Sequence, residues 1–337
     1  MRNYHLTTAL ILFLILPFTL LANNCEEVRA AFDIGSGTTK MVVAKVNNCL
    51  NKKGAILLER SVPIPFKSNL DNAKDQSFDQ SIQNFALEQI GKLKEEAASL
   101  TPNKFVAVAT SSFRNAKNGE EFAKRIERVL GIRFHVIDQR TEAILGHLAV
   151  TQGREQQDQD ILVWDIGGGS MQMTFLDKSQ NYTIYEGKLA SVSFKNMIVT
   201  AIQGKDYTIS PTPNPLGAIA AKKALNLAQY YAKIHIPLEV KEAAKRSTIV
   251  GIGSLHNYSI LKKIPGAKNH YLQSDLLKAL SKKKEMNDTQ LGGDYAETDV
   301  SNLALVGGFM HELGIEKVEV QDVNMAHGIL TFASYWE

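Results

Sequence analysis

Each half of the chain opens with the same pattern, an apolar strand, a tight glycine-rich turn and a second apolar strand. The first copy is VRAAFDIGSGTTKMVVAKV at residues 28–46, and the second is ILVWDIGGGSMQMTFLD at residues 161–177. Short apolar runs on either side of a glycine turn predict antiparallel strand pairs. We therefore expect a β-hairpin at the start of each half.

Helical periodicity alternates with short apolar strands in the rest of the chain. Helices are predicted at residues 82–97, 119–131, 140–153, 217–233, 274–284, 302–314 and 325–336. Further strands are predicted at residues 54–66, 104–113, 133–138, 247–253 and 317–322. This alternation predicts an α/β fold with sheets covered by helices.

Length and composition indicate two globular domains. The 337 residues exceed one ordinary core, and the polar segment REQQDQD at residues 154–160 separates the halves. We assign residues 23–150 to domain I and residues 151–337 to domain II. Apolar residues make up 44% and charged residues 22%, which is typical of globular proteins. The formal charge of +3 is too small to indicate a nucleic-acid partner, and none is expected.

The N-terminal segment at residues 1–22 resembles a targeting sequence. MRNYHLTTALILFLILPFTLLA has a cationic start at Arg2, an apolar run and a small residue, Ala22, at its end. This pattern is typical of a secretory signal peptide cleaved after Ala22. The apolar run is short for a membrane-spanning helix, and an uncleaved anchor is the alternative. We expect a periplasmic or secreted protein with no stable membrane span after cleavage.

The two cysteines, Cys25 and Cys49, lie almost symmetrically about the first glycine turn. An antiparallel hairpin around that turn would place them opposite each other, and an exported protein could then form a disulfide between them. The alternative is that they are two unrelated small apolar residues with free thiols.

Each hairpin brings an aspartate, Asp33 or Asp165, to its turn. Glycines leave backbone N–H groups accessible, and such turns bind phosphate oxygens. The aspartate can hold a divalent cation directly or through water. One such turn is common, whereas two turns indicate facing domains that hold a phosphate chain between them. The predicted phosphate-binding residues of the turns are Gly35, Ser36, Gly37, Thr38, Gly167, Gly168, Gly169 and Ser170.

The paired turns resemble those of the actin-like ATPase and sugar-kinase superfamily, and DIGSGTTK is similar to the first loop of actin, including Lys40. VAVATSSFRNAKNGEEFAKRI, VIDQRTEAILG and DIGGGSMQMTF closely resemble the exopolyphosphatase/guanosine pentaphosphate phosphatase (Ppx/GppA) family. The resemblance implies two actin-like (ribonuclease H-like) α/β domains with an interdomain cleft. It also adds Lys40 to the phosphate-binding residues and implies Mg²⁺ as the cofactor and a homodimer as one option.

The resemblance assigns catalytic roles to two residues and metal roles to two more. Glu142 in RTEAILG matches the glutamate that orients and deprotonates water, and Arg114 in TSSFRNA matches the arginine that clamps phosphate. Asp33 and Asp165 match the metal-associated aspartates. The alternatives are an exposed glutamate in a helix first turn, a surface arginine and two turn-stabilising aspartates.

One departure from the family pattern concerns the second turn, which usually ends in Ser-x-Glu and here reads SMQ, so that Gln172 replaces a carboxylate. Glutamine brings no negative charge and cannot act as a base, so weaker Mg²⁺ binding or lower activity is expected.

The predicted function is an exported hydrolase that releases terminal phosphate from inorganic polyphosphate by Mg²⁺-dependent attack of water. The alternatives are a guanosine pentaphosphate 5′-phosphatase and a non-catalytic periplasmic sensor of phosphate polymers. The expected partner is therefore polyphosphate or a phosphorylated guanine nucleotide.

Overall fold

The computed structural model describes residues 25–152, 161–293 and 295–337. The predicted signal peptide and the polar junction at residues 154–160 lie outside these residues. Within the described ranges, none of the helices combines the length and the apolar character needed to cross a membrane.

The first sheet contains the first hairpin at its centre. Its strands, in chain order, are β1 (Glu26–Ile34), β2 (Thr38–Asn47), β3 (Lys52–Pro63), β4 (Lys104–Ala109) and β5 (Arg133–Val136). Their order in space is β3-β2-β1-β4-β5, with β1 antiparallel to β2 and parallel to β4. The helices of this half are α1 (Phe66–Asn72), α2 (Gln80–Ala98), α3 (Ser111–Asn115), α4 (Gly119–Leu130) and α5 (Gln139–Thr151).

The long helices of this half begin and end where the sequence provides the signals. The Asp79 side chain accepts a hydrogen bond from the Ile82 N–H and caps α2. Gly131 adopts the left-handed conformation after α4, with φ of +61°, as expected for a glycine that ends a helix. Asp138 caps α5 by accepting from the Thr141 N–H, and this cap fixes where Glu142 stands.

The second sheet repeats the hairpin and adds parallel strands. Its strands are β6 (Ile161–Ile166), β7 (Met171–Leu176), β8 (Tyr182–Gly187), β9 (Thr248–Ile252), β10 (His270–Leu272) and β11 (Lys317–Val320), in the spatial order β10-β11-β9-β6-β7-β8. The helices are α6 (Ser191–Met197), which continues as a π-helix over Ile198–Ile202, α7 (Gly217–His235), α8 (Leu238–Arg246), α9 (Gln273–Lys283), α10 (Asp288–Leu291) and α11 (Ala296–Leu313).

The last helix, α12 (Met325–Ile329), packs on the first sheet. Met325, Ile329 and Trp336 share a core with Val42 and Val106. The helix is shorter than predicted, because the Trp336 side chain and the buried Arg29 donate hydrogen bonds to the Ile329 and Leu330 carbonyls. The segment from Met325 to Trp336 therefore packs with the first half of the chain, although the predicted boundaries assign it to domain II.

Cys25 and Cys49, the pair named from the sequence, form a disulfide next to the first hairpin, with their Cα atoms 5.3 Å apart. The Asn48 N–H donates to the Cys25 carbonyl and extends the β1–β2 ladder to this point. The architecture as a whole is the two-domain actin-like α/β fold that the resemblance implied.

Candidate active site

The two glycine turns have the same local structure. In the first, the Gly35 N–H donates to the Thr38 carbonyl at 3.1 Å, and in the second the Gly167 N–H donates to the Ser170 carbonyl at 2.9 Å. A Cβ on residue 35 would lie only 2.9 Å from the Thr38 carbonyl oxygen, so this turn requires glycine. The repeat in sequence is therefore a repeat in backbone geometry.

The two turns also lie against each other. A Cβ added at Gly168 would meet the Ser36 Cβ at 3.5 Å, which is ordinary van der Waals contact. One added at Gly169 would come within 2.6 Å of the Ser111 Oγ, at the start of α3. Glycine at 169 thus lets the second turn approach the first domain closely, and both turns line one cleft.

Glu142 stands beside these turns in the first turn of α5 and is 5% exposed. The Arg114 Nη1 donates to its Oε2 at 2.8 Å, and the Ser170 Oγ donates to its Oε1 at 3.3 Å. Burial raises the pKa of Glu142, while the guanidinium of Arg114 opposes that rise. Glu142 is therefore buried, and both of its carboxylate oxygens accept hydrogen bonds. The alternative prediction, an exposed glutamate that only favours the start of the helix, is wrong.

Arg114 lies on α3 and contacts Glu142 rather than the open space of the cleft. Its Nη1 also donates to the Ile137 carbonyl at 2.7 Å. Among the described residues that line the cleft, Arg114 is absent. In this structure its guanidinium therefore fixes the Glu142 carboxylate, and contact with phosphate stays a prediction.

Asp33 and Asp165 occupy equivalent places, each at the end of the first strand of its hairpin. Asp33 pairs in register with Lys40, whose Nζ lies 3.8 Å from the Asp33 Oδ2, and Asp165 pairs with Gln172. Burial, and then the nearby carboxylate of Glu142, raises the pKa of Asp165 to about 7. Burial also raises the pKa of Asp33, opposed by Lys40.

A third glycine turn approaches Asp165. Gly253 follows β9 with φ of +84°, and a Cβ there would lie 2.8 Å from the Asp165 Oδ1. Both the backbone conformation and the close approach require glycine at this position.

The donor set suits a divalent cation that is shared with phosphate. The Asp33 Oδ1 is buried without a hydrogen-bond partner among the described residues. No group of three or more His, Cys, Asp or Glu residues in that part of the chain could cage a metal ion. Mg²⁺ is usually held by one or two carboxylates, waters and substrate phosphates, so Asp33 and Asp165 fit this cation.

The cleft has a volume of about 550 Å³ and contains nearly every residue that the sequence indicated. The predicted residues that line it are Asp33, Gly35, Ser36, Gly37, Thr38, Lys40, Glu142, Asp165, Gly167, Gly168, Gly169 and Ser170. Gln172 is 1% exposed, is not among the described lining residues, and lies next to the site as the register partner of Asp165.

Some lining residues come from later helices and carry no motif in the sequence. The Ser191 Oγ donates to the Asn302 Oδ1 at 2.8 Å, and both side chains line the cleft. The Tyr295 and Thr38 hydroxyls lie 3.0 Å apart and bridge the two halves. Asn302 precedes the apolar run of α11 among other polar residues, so neither it nor Tyr295 carries a distinctive signal in the sequence.

A buried lysine forms an ion pair with a residue that lines the cleft. Lys195 on α6 is 5% exposed, and its Nζ lies 3.3 Å from the Oε2 of Glu297, which lines the cleft at the start of α11. The part of the cleft formed by α6 and α11 therefore carries an ion pair in which Lys195 is buried and Glu297 is partly exposed.

Comparison with known proteins identifies the family and the fold of the chain. The Ppx/GppA phosphatase family model matches residues 42–333. A Haemophilus influenzae protein provisionally named an exopolyphosphatase is 21% identical over 314 residues, which cover 91% of each chain. The crystal structure of an Aquifex aeolicus Ppx/GppA family member superposes with a TM-score of 0.69 at 18% identity, over 91% of this chain and 97% of that one. A Cytophaga hutchinsonii exopolyphosphatase superposes with a TM-score of 0.69 at 16% identity, over 90% and 96%.

Proposed function

Because the chain belongs to the Ppx/GppA phosphatase family, and is thus a phosphoanhydride hydrolase, we propose that it releases the terminal phosphate of inorganic polyphosphate. The observation that carries the proposal is the position of Glu142, a buried carboxylate held by Ser170 and Arg114 in a cleft lined by the two glycine turns. The proposal concerns the substrate, the metal and the location of the enzyme.

In the proposed reaction the terminal phosphoryl group lies between the two turns, and Glu142 takes a proton from the attacking water. A raised pKa makes the ionised carboxylate a stronger base, provided that the pH keeps it ionised. Lys40 contributes positive charge near the phosphoryl oxygens. Asp33 and Asp165 would hold Mg²⁺, which would neutralise negative charge on the phosphates.

Export is part of the proposal, and the disulfide supports it. Disulfides persist in oxidising compartments and are rare in the cytosol. Cys25 and Cys49 form one just after the predicted signal peptide. Cell fractionation and N-terminal sequencing of the mature protein provide the test, with Asn23 expected as the first residue and no free thiols. A cytosolic protein that retains residues 1–22 would contradict export.

Guanosine pentaphosphate is the second candidate substrate. Tyr258 and Tyr295 line the cleft and are 49% and 47% exposed, so their rings could contact a base. Phosphate release from polyphosphate, guanosine pentaphosphate and ATP, measured side by side with Mg²⁺ and with EDTA, distinguishes the candidates.

The mutational test uses Glu142→Gln and a matched control. Loss of a general base is expected to reduce kcat by about 10² or more. Glu120→Gln, an exposed glutamate in the first turn of α4, should keep the parent activity. Equal activity of Glu142→Gln and the parent would refute the catalytic role, and polyphosphate binding without any turnover would favour the sensor.

A further inference from the structure

Three lysines of the second domain lie beyond the part of the cleft that the glycine turns form. Tyr258 and Ser259 line the cleft, and Lys262 and Lys263 follow them in the next helical turn. The Lys262 Nζ lies 3.8 Å from the centroid of the Tyr258 ring. We call Lys262, Lys263 and Lys283 the rim lysine cluster.

A buried carboxylate holds two members of this cluster in place. Asp299 is 2% exposed, and the Lys263 Nζ lies 3.0 Å from its Oδ2. Lys283, at the end of α9, lies close enough to interact electrostatically with both Asp299 and Lys263. Two ammonium groups thus share one carboxylate, and with Lys262 the cluster carries a net positive charge beside the residues that line the cleft.

The Tyr258 ring beside the cluster is already occupied on one face, and the Tyr295 side chain is tethered through its hydroxyl. The Lys262 ammonium covers one face of the Tyr258 ring, as in a cation–π contact. The Tyr295 hydroxyl is bonded to Thr38. A nucleotide base would have to displace the lysine to stack on that face of Tyr258, whereas a further phosphate would add a negative charge to an ammonium that is partly exposed.

We propose that the rim lysine cluster binds the distal phosphates of a long polyphosphate chain whose terminal phosphate lies between the glycine turns. This inference rests on the proposed function and makes the enzyme selective for long linear chains. Under this proposal we expect tripolyphosphate to contact the turns alone and a long chain to contact both the turns and the cluster.

The test compares long polyphosphate with tripolyphosphate in Lys262→Gln/Lys283→Gln, a double variant that leaves the Lys263–Asp299 pair in place. We expect the ratio of kcat/KM for long polyphosphate to kcat/KM for tripolyphosphate to fall about tenfold, as expected for lost charge–charge contacts. Lys262→Arg should keep most of the ratio because it keeps the charge. The control, Lys92→Gln/Lys124→Gln on the outer helices α2 and α4, removes the same charge and should keep the parent ratio.

An unchanged ratio in the double variant, or an equal fall in the control, would overturn the proposal. So would a double variant that loses only guanosine pentaphosphate hydrolysis, because that result would assign the cluster to a nucleotide.

A binding experiment separates this inference from the proposed function. Long polyphosphate is titrated into Glu142→Gln protein, with and without the two lysine substitutions, at several salt concentrations. By analogy with single-stranded nucleic acids, removing two charge contacts should make the slope of log K against log salt shallower by about 1.4. If the parent protein releases no phosphate but this slope changes, the hydrolase proposal fails and the cluster stands. If the slope is unchanged, the cluster proposal fails whatever the activity.

Discussion

Replacement of Asp165 by asparagine is expected to stabilise the metal-free protein while it abolishes activity. Burial and the Glu142 carboxylate raise the pKa of Asp165 from 3.8 to about 7. Above pH 7 the folded protein therefore holds an ionised carboxylate that the unfolded chain accommodates more easily. Asparagine resembles the neutral form at every pH and avoids this cost.

The magnitude follows from the two pKa values. The interval from 3.8 to about 7, at about 1.4 kcal/mol for each pH unit, gives a cost of about 4 kcal/mol at pH 8, as an upper value. A raised folded pKa means that the penalty is absent below the unfolded pKa of 3.8 and complete only above about 7. At pH 5 the same two pKa values give a smaller cost of about 1.7 kcal/mol for Asp165 in the folded protein. The difference in the free energy of unfolding between Asp165→Asn and the parent should therefore become smaller as the pH falls.

The assay is urea unfolding of parent and Asp165→Asn proteins in EDTA at pH 8 and pH 5. Asp322→Asn, an exposed aspartate, serves as the control and should change stability by less than about 0.5 kcal/mol. Mg²⁺ should then stabilise the parent and not the variant. An Asp165→Asn protein that is less stable than the parent at pH 8, or a difference that does not narrow at pH 5, would refute this account of the site.

Four further predictions follow from single contacts. Arg114→Met should lower kcat about 10²-fold and move the acid limb of the pH–rate profile upward, because the guanidinium holds down the pKa of Glu142; an unmoved limb would contradict this role. Gly253→Ala should cost about 1–3 kcal/mol more in unfolding experiments than Gly314→Ala, since both glycines have positive φ but only residue 253 approaches Asp165; equal costs would refute the steric argument. Glu297→Gln should lower the KM for polyphosphate severalfold, because it removes a negative charge that lines the cleft and leaves Lys195 without its carboxylate partner. A raised KM would show instead that Glu297 helps to bind the substrate. Cys25→Ser/Cys49→Ser should lower the free energy of unfolding by about 3 kcal/mol, as for other loops of this size, and a reductant should do the same to the parent.

The local features of the site could be predicted from the sequence because they depend on nearby residues. A strand, an aspartate and glycines are sufficient to define each turn, and the Asp138 cap fixes the start of α5 and hence Glu142. The repeat of the turn implied two facing halves, which the fold confirms.

The parts that could not be predicted depend on contacts between distant segments. The sequence does not show that Arg114 would form a hydrogen bond with Glu142, because the two residues are 28 positions apart on α3 and α5, which follow different strands of the first sheet. Ser191 and Asn302 meet in the same way, across more than a hundred residues. The closing helix was placed correctly but made too long, because long-range hydrogen bonds from Arg29 and Trp336 use the carbonyls where it ends.

The return of the last segment to the first sheet has a consequence for the order of folding. One face of that sheet, with Ala31, Val42 and Val106, is covered in part by Met325 and Ile329. During synthesis the strands of this face are complete once Val106 has been made, while the residues that cover it are made more than two hundred positions later. The first half buries its own core on the other face of the sheet, with Phe32, Phe66 and Phe113, whereas this face stays partly uncovered until the second half has been made. A chain cut before α12 therefore leaves part of that face open to solvent or to a chaperone.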